Sequence, residues 1–477
     1  MAITKRKAED VDDCDDYDDG NRNIILSLIG QMRPGSDLSR ITLPTFILER
    51  KSMLERITNL LQHPNMIIHA TSLDNPVERF VQVVRWYMSG WHIAPKAVKK
   101  PLNPVLGEYF SCYWDFDDQT RAYYIAEQTS HHAPKSSYFY TYPSRKVRVD
   151  GIVIPRSKFL GNSAASIMEG IARLQFGEHQ HSNGDETYTL TQPNIYARNV
   201  IVGSLKLEIG DKAYVKCEQT NMECIIEFKV KGYITGTYHE IKGSIMHKGQ
   251  VLYELSGKWN EIIYIKTPKG KKQVFFDCTH DTDIHRPTVR PIPEQGKFES
   301  RRLWEKVTNA LGERNHKVAT DEKYEIEDNQ RKLAKLREEG KEPQFEPKLF
   351  FPEKSLLQFK ICVDAELKKA TSAEQTEKIL EQLMPILPGD KFPEDFDKPA
   401  KEKEPKFKKL AEHLMAPKPD SAAASAAAST SVSVSGSGSG SGSGSAPRSS
   451  SEISVLEKAV GSVKINDDVF EDAKECL

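Results

Sequence analysis

Between Tyr109 and Asp277 the chain is a succession of short runs rich in aromatic and β-branched residues, with no helical pattern after each run. The runs fall at Tyr109 to Phe116, Arg121 to Ala126, Tyr138 to Tyr142 and Lys146 to Ile154. They resume at Asn199 to Ile209, Ala213 to Cys217, Cys224 to Val230, Gln250 to Leu255, Ile262 to Lys266 and Gln273 to Asp277. Turn-forming pairs such as Gly210-Asp211 and Lys269-Gly270 separate them. So many strands without intervening helices predict one large antiparallel sheet, which must close on itself or be covered to protect its edges.

Helical patterns flank that region. Leu43-Pro44-Thr45-Phe46-Ile47-Leu48-Glu49 opens a helical stretch through Met53, Ile57, Leu60 and Leu61 that closes at Pro64, and a second runs from Pro76 to about Met88. Further helices are expected at Phe298 to Leu311, Thr320 to Glu339 and Ala365 to Leu387. Residues 1–37 read as an acidic arm with a short apolar segment, and residues 38–398 as the folded domain. Residues 399–451 read as a charged, then Ser/Ala/Gly-rich linker, and residues 452–477 as a short acidic tail.

Composition removes several function classes. With 38% hydrophobic residues among 477, a sizeable core can be buried, and a net charge of -1 argues against bulk nucleic-acid binding. The seven cysteines include no CxxC pair, so neither a disulfide framework nor a zinc site is indicated and a reducing compartment fits. Met1 to Asp19 has no apolar signal core, no run of about 18 apolar residues occurs, and Cys476 sits too near the end for prenylation. A chain of this kind would visit membranes or be tethered to them.

Three constellations carry candidate chemistry. In Lys99-Lys100-Pro101-Leu102-Asn103-Pro104, two prolines fix the backbone around Asn103 beside concentrated positive charge, as a phosphate-binding loop requires, although a solvated loop has the same composition. His131-His132 follows a strand in Glu127-Gln128-Thr129-Ser130-His131-His132-Ala133-Pro134. In an extended segment the two rings point to opposite faces, whereas in a turn both converge on an anion. Ser130 has no nucleophile-elbow sequence around it. Lys323, Glu327 and Arg331 recur every four residues, on one helix face, either as a surface ion-pair ladder or as donors oriented toward a phosphorylated headgroup.

The segment EQTSHHAP closely resembles the EQVSHHPP signature of the oxysterol-binding-protein-related lipid-transfer family, and KKPLNPVLGEYF at Lys99 to Phe110 resembles that family's other recognisable segment. The resemblance implies a mainly β fold with helices, an incomplete antiparallel β-barrel around a lipid tunnel with an N-terminal lid and a C-terminal helical subdomain, and no enzymatic activity. Carried onto this chain, it implies that Lys100 and Asn103 meet a lipid headgroup and that His131 and His132 bind phosphatidylinositol 4-phosphate. Lys323, Glu327 and Arg331 complete the cationic mouth, and Leu43, Ile47 and Leu48 belong to the lid over the acyl chains. Thr129 and Ala133 depart from the signature; losing a proline at Ala133 frees the backbone of the histidine loop.

LPTFILERKSMLE at Leu43 to Glu55 and FLGNSAAS at Phe159 to Ser166 look like the branch, in its short fungal form without a PH domain, that exchanges phosphatidylserine for phosphatidylinositol 4-phosphate. Ser157 or Ser163 would then receive the serine headgroup. Alternatives are a sterol exchanger and a phosphoinositide-sensing adaptor with little transfer. The bound lipid would be the only ligand, with no cofactor. Near the C-terminus, Val469 to Glu475 resembles a two-phenylalanines-in-an-acidic-tract motif that binds the endoplasmic-reticulum receptor VAP. Phe470, Asp472, Ala473 and Glu475 fit it, while Glu471 stands where the second aromatic is usual. A cytoplasmic protein, peripheral at the endoplasmic reticulum and its contacts with the plasma membrane, is the expectation.

Overall fold

A parallel pair, β1 (Leu48–Ser52) on β2 (Lys100–Leu102), stands before one antiparallel sheet of fourteen strands. The computed structural model describes residue 35 and residues 45–93, 99–203, 205–232, 236–354 and 357–416. The sheet begins with β3 (Tyr109–Asp115), β4 (Arg121–His131), β5 (Pro134–Tyr142) and β6 (Val147–Phe159). Its middle is β7 (Ser163–Glu169), β8 (Ile171–His181), β9 (Gly184–Thr191), β10 (Asn194–Arg198) and β11 (Lys206–Cys217). It ends with β12 (Met222–Phe228), β13 (Glu240–His247), β14 (Gln250–Lys258), β15 (Ile262–Lys266) and β16 (Gln273–Asp277). The first and last strands, β3 and β16, do not pair with each other, so the sheet stays an incomplete barrel. Residues 288–299 cover the β3 edge, with Thr288 and Tyr113 exchanging both backbone hydrogen bonds at 2.7 and 3.0 Å.

A crease divides the sheet. β6 keeps one register along β7 (Phe159 opposite Ala164, Ile154 opposite Glu169) and β8 (Gly151 opposite Ala172, Val147 opposite Phe176). β7 and β8 are thus one line of chain interrupted at Gly170, whose φ of +102° and close approach to the Ile152 carbonyl leave no room for a side chain. β10 and β9 flank the same crease on the next line, and β11 spans it, pairing first with β10 and then with β9. Gly210-Asp211 is therefore a kink inside β11, not a turn between two strands. Asp211, at φ 70°, is held by Asn194 and the Tyr196 hydroxyl, which donate to its carboxylate at 2.7 and 2.6 Å.

The strands expected from the sequence fall outside β7 to β10 and β13. These alternate half-buried polar residues with small or apolar ones, and tertiary pairing overrides their weak intrinsic preference. Residues 48–52 form β1 instead of the expected helix, and helix is confined to Met53–Arg56 and the 3-10 turns of Ile57–Leu61. Pro64 opens a helix, Pro64–Thr71, rather than closing one, because its fixed φ suits a first helical position. The helix Pro76–Ser89 forms as expected, with the Asn75 side chain accepting from the Val77 N–H at 2.9 Å.

The folded part also extends past residue 398. Ala400–Met415 is a helix that buries Phe407, Ala411 and Lys403, and the Lys403 ammonium donates to the carbonyls of Phe396 (2.7 Å) and Lys348 (3.1 Å). Its charge density reads as linker, yet its few apolar residues fall on one face. That face joins Ile379, Leu380, Leu383 and Met384 in a cluster against Tyr109, Tyr123, Ile125 and Phe139 of β3 to β5. The other face of these strands, through Phe110, Tyr124 and Tyr138, belongs to the largest core, shared with Phe80, Val84 and Met88 of the Pro76–Ser89 helix. β3 to β5 are therefore covered on both sides.

Candidate functional site

The two sequence motifs are neighbours in space. The Gly107 N–H donates to the Gln128 carbonyl at 3.0 Å and the Gln128 N–H to the Glu108 carbonyl at 2.8 Å, joining the loop after β2 to β4. Beneath the loop, the fully buried Glu108 carboxylate accepts from the Ser52 hydroxyl, the Ser300 hydroxyl (2.7 Å), the Trp304 indole (2.9 Å) and the Val105 N–H (3.1 Å). Burial raises its pKa, and the four donors oppose that shift. Gly107 adopts φ +80° with its α-carbon against the Phe345 ring, where a Cβ would lie 2.9 Å from ring carbon.

β4 is irregular between Gln128 and Ser130, and His131 pairs with Pro134, so His132 and Ala133 form the hairpin tip. The two imidazoles therefore lie side by side, ring centres 4.8 Å apart at 70°, rather than on opposite faces of a regular strand. Thr129 contributes to closing the turn: its hydroxyl meets the Lys135 carbonyl (3.2 Å) and the Ser137 hydroxyl (2.9 Å). The buried Glu127 accepts from the backbone N–H groups of Lys348, Leu349 and Phe350 at 2.8, 2.9 and 3.3 Å, and burial brings its pKa up to about 7.

The helix His316–Glu338 closes the site, capped by the Asn315 side chain. Lys323 is almost fully buried and donates to Glu327 at 2.5 Å. Three residues on, Gln330 accepts from the Leu106 N–H at 2.6 Å, so its amide NH2 faces His131 Nε2 at 2.8 Å. His131 Nε2 is then the acceptor, which puts the ring proton on Nδ1, and that buried Nδ1 has no partner. Burial, followed by His132, lowers the His131 pKa, so the ring is neutral as it stands; Glu327 acts against this. Lys100 is affected likewise: burial and then Lys323 lower its pKa, while Glu327 raises it. Two crowded ammonium groups, an orphaned imidazole N–H and a single compensating carboxylate make a cradle for a multiply charged anion.

The structure thus brings together Lys100, His131, His132, Lys323 and Glu327. Arg331 is turned away from Glu327 toward Asp328 (3.9 Å) and the Tyr324 ring (5.3 Å), and Asn103 stands exposed directly after β2. Ser157 and Ser163 sit on the β6–β7 hairpin beyond the crease and, among the described residues, share no hydrogen bond or ion pair with the cluster. Leu48 is buried with Leu102, Val105 and Trp304, anchoring the site from below. Ile47 is half-buried in the 3-10 turn Thr45–Ile47, where the Thr45 hydroxyl lies 3.3 Å from the His316 carbonyl and the Thr320 hydroxyl. Leu43, Phe470, Asp472, Ala473 and Glu475 lie outside the described residues. Sequence reasoning missed Gln330, Glu108 and Glu127; the spacing from Glu327 to Gln330 places both on one helix face, and both glutamates stand inside the motifs.

A Ser-His-Asp arrangement exists elsewhere: Ser89 Oγ is 3.0 Å from His63 Nδ1, and His63 Nε2 is 2.7 Å from Asp281. Ser89 and His63 are buried, the Asp281 side chain is 3% exposed, and the Ser89 hydroxyl donates to the Trp86 carbonyl at 2.8 Å, so this is a structural tie and not a nucleophile.

A family model described as oxysterol-binding protein matches residues 27–310. Oxysterol-binding protein homolog 6 of Saccharomyces cerevisiae is 51% identical over 418 residues, covering 86% of this chain and 92% of that protein. The oxysterol-binding protein-like protein OBPa of Candida albicans is 52% identical over 394 residues, covering 80% and 89%. Among solved structures, the Osh1 ORD domain in complex with cholesterol superimposes with a TM-score of 0.61 at 24% identity, covering 73% of this chain and 88% of that one. The Osh3 ORD in complex with PI(4)P from Saccharomyces cerevisiae gives 0.54 at 21% identity, covering 71% and 88%. The chain belongs to the oxysterol-binding-protein family, whose members move lipids between membranes without vesicles and without catalysing a reaction.

Proposed function

We propose that this chain exchanges phosphatidylinositol 4-phosphate for a second membrane lipid. The observation that carries the reading is the buried, unpartnered Nδ1–H of His131 beside the crowded Lys100 and Lys323 ammonium groups. An inositol phosphate in this corner accepts from the imidazole, relieves the repulsion between the lysines, and leaves its acyl chains to apolar wall, whose burial scales with area. The phosphoinositide-bound Osh3 domain of the same fold supports the headgroup assignment. The second lipid has two supported identities. A sterol is supported by Osh1 domains of the same fold in complex with cholesterol and with ergosterol. Phosphatidylserine is supported by the segments Leu43 to Glu55 and Phe159 to Ser166; the sterol reading is at least as well supported.

Transfer between liposomes, offering phosphatidylserine, sterol and phosphatidylinositol 4-phosphate side by side, separates the readings. Opposing phosphatidylinositol 4-phosphate is expected to accelerate transfer of one of the other two. His131→Ala combined with His132→Ala is expected to slow that acceleration about tenfold, through loss of hydrogen bonds to a charged group, while leaving unstimulated transfer of the second lipid intact. Undiminished counter-exchange by the double variant would sink the assignment, and phosphoinositide uptake without any second cargo would favour a sensing adaptor.

For location we propose a peripheral protein at the endoplasmic reticulum and its contacts with the plasma membrane, held there by VAP through Phe470, Asp472, Ala473 and Glu475. The Gly-Ser alternation from Ser435 to Ser445 supports this by giving the tail reach. Phe470→Ala is expected to abolish capture of the full chain by purified VAP; equal capture removes the tail motif from the account.

A further inference from the structure

β6 carries the chain past the histidine turn. Ser136, two residues beyond the turn residue Pro134, pairs with Val153. β6 continues to Phe159, which at about 3.3 Å per residue is roughly 20 Å further toward the end that bears His131 and His132. There β7, β10 and the first half of β11 form the part of the sheet beyond the crease, with tips at residues 160–162 and 199–203. The Gly35 N–H donates to the Phe159 carbonyl at 2.6 Å, so Gly35 lies beside the first of these tips.

Asn162 builds the second tip. Its side-chain oxygen accepts from the N–H groups of Ile201 and Val202, both at 2.9 Å, and its amide donates to the Val202 carbonyl at 3.1 Å. Its backbone carbonyl also accepts from the Val200 N–H at 3.1 Å. This much local hydrogen bonding holds in place a loop that shows water two branched apolar side chains: Val202 is 70% exposed and Ile201 37%. Beside it the Lys206 and Lys231 ammonium groups stand 4.0 and 4.5 Å from the centre of one ring, that of Tyr238. Neither lysine is in an ion pair among the described residues. The nearby Glu208 accepts from the Lys231 N–H (3.0 Å) and pairs with Arg198 (3.8 Å), and it feels the charges of both lysines, so three cations share its carboxylate. Branched apolar tips, an amphipathic tyrosine and a local excess of positive charge, with Arg198, Lys206 and Lys231 around Glu208, form the combination that a bilayer interface rewards: an apolar layer below, phosphates level with the ammonium groups, and a ring between.

We propose that the tip at residues 199–203, together with Lys206, Lys231 and Tyr238, is the anchor by which this end of the protein docks on an anionic bilayer, with Val202 and Ile201 entering the headgroup boundary. The purpose of docking rests on the lipid-exchange reading; the docking itself does not. Charge complementarity and the same-end placement of the headgroup cluster favour a lipid surface over a protein partner.

The test uses the full chain and protein-free vesicles of phosphatidylcholine, with or without phosphatidylserine. Val202→Asp is expected to weaken binding to anionic vesicles at least tenfold, and Lys206→Ala with Lys231→Ala to remove about fivefold per lysine, falling off with salt. Val202→Trp places an indole at the tip whose emission is expected to shift to the blue on adding anionic vesicles. Because Val202 is mostly exposed, these variants fold. Binding of a water-soluble short-chain phosphatidylinositol 4-phosphate is expected to be unchanged in all of them, and its absence in the wild type would count against the headgroup site alone. Docking of Val202→Asp within twofold of wild type, or an indole emission unmoved by vesicles, overturns the anchor.

Discussion

Lys100→Ala is expected to lower affinity for phosphatidylinositol 4-phosphate by about 10- to 150-fold while leaving the protein as stable as wild type or slightly more so. A hydrogen bond to a charged partner contributes about 1.5–3 kcal/mol, and about 1.4 kcal/mol is a factor of ten. The opposite sign for stability follows from the ligand-free site. Lys100 is charged against burial and against Lys323, with only Glu327 in its favour, so removing the ammonium relieves a cost that the headgroup otherwise offsets. The linkage has the same direction. Because the folded pKa of Lys100 lies below its unfolded value, the folded state binds fewer protons in the interval between the two, and the contribution of this group to stability falls as pH drops. Lys323→Ala is a poorer probe, since it strands Glu327 without its 2.5 Å partner and confounds binding with folding. Lipid extraction from liposomes together with a melting curve checks both signs. Extraction within threefold of wild type, at equal stability, would remove Lys100 from the headgroup site.

What could be read from the chain divides along physical lines. Strands rich in aromatic and β-branched residues, such as Tyr109–Asp115 and Ile262–Lys266, announce themselves because burial and intrinsic preference agree. β7 and β13, with Ser163-Ala164-Ala165-Ser166 and Lys242-Gly243-Ser244, are strands only because a neighbour completes their ladder. Ala400–Met415 failed to register for the same kind of reason: a charged helix becomes part of a domain through three or four side chains, and Lys403 is among them, bonded by two carbonyls. At the site, the sequence named the charged groups but not what orients them. The pairing of Lys323 with Glu327 follows from spacing, whereas the turning of Arg331 to Asp328 and Tyr324 depends on side-chain choices that periodicity does not encode. The convergence of His131 and His132 needed the irregularity in β4, which no residue type at that position advertises.

The floor of the site gives the largest expected loss of stability. Glu108→Ala is expected to cost about 3 kcal/mol, because the Trp304 indole and the Val105 N–H cannot turn to new partners and each buried orphan donor costs about 1–3 kcal/mol. The Ser52 and Ser300 hydroxyls can rotate, and loss of the carboxylate's own desolvation returns part of the cost. For a domain of this size the melting temperature is expected to fall by about 4 °C. Glu108→Gln keeps one acceptor oxygen and lets the hydroxyls accept from its amide, so less than half of that loss is expected. The pair also reports on titration. The folded pKa of Glu108 is raised above 4.5, so between the two values the folded state holds more protons, and this group's contribution to stability declines as pH rises. The glutamine variant lacks that slope, and its deficit relative to wild type is expected to widen as pH falls toward 4.5. Glu108→Ala should lose stability and headgroup binding together, since it releases the loop that carries Lys100, whereas Lys100→Ala loses binding alone. If the Ala variant melts within about 1 °C of wild type, a shift worth less than about 1 kcal/mol, the loop is held by its backbone bonds to Gln128 and the carboxylate is not its support.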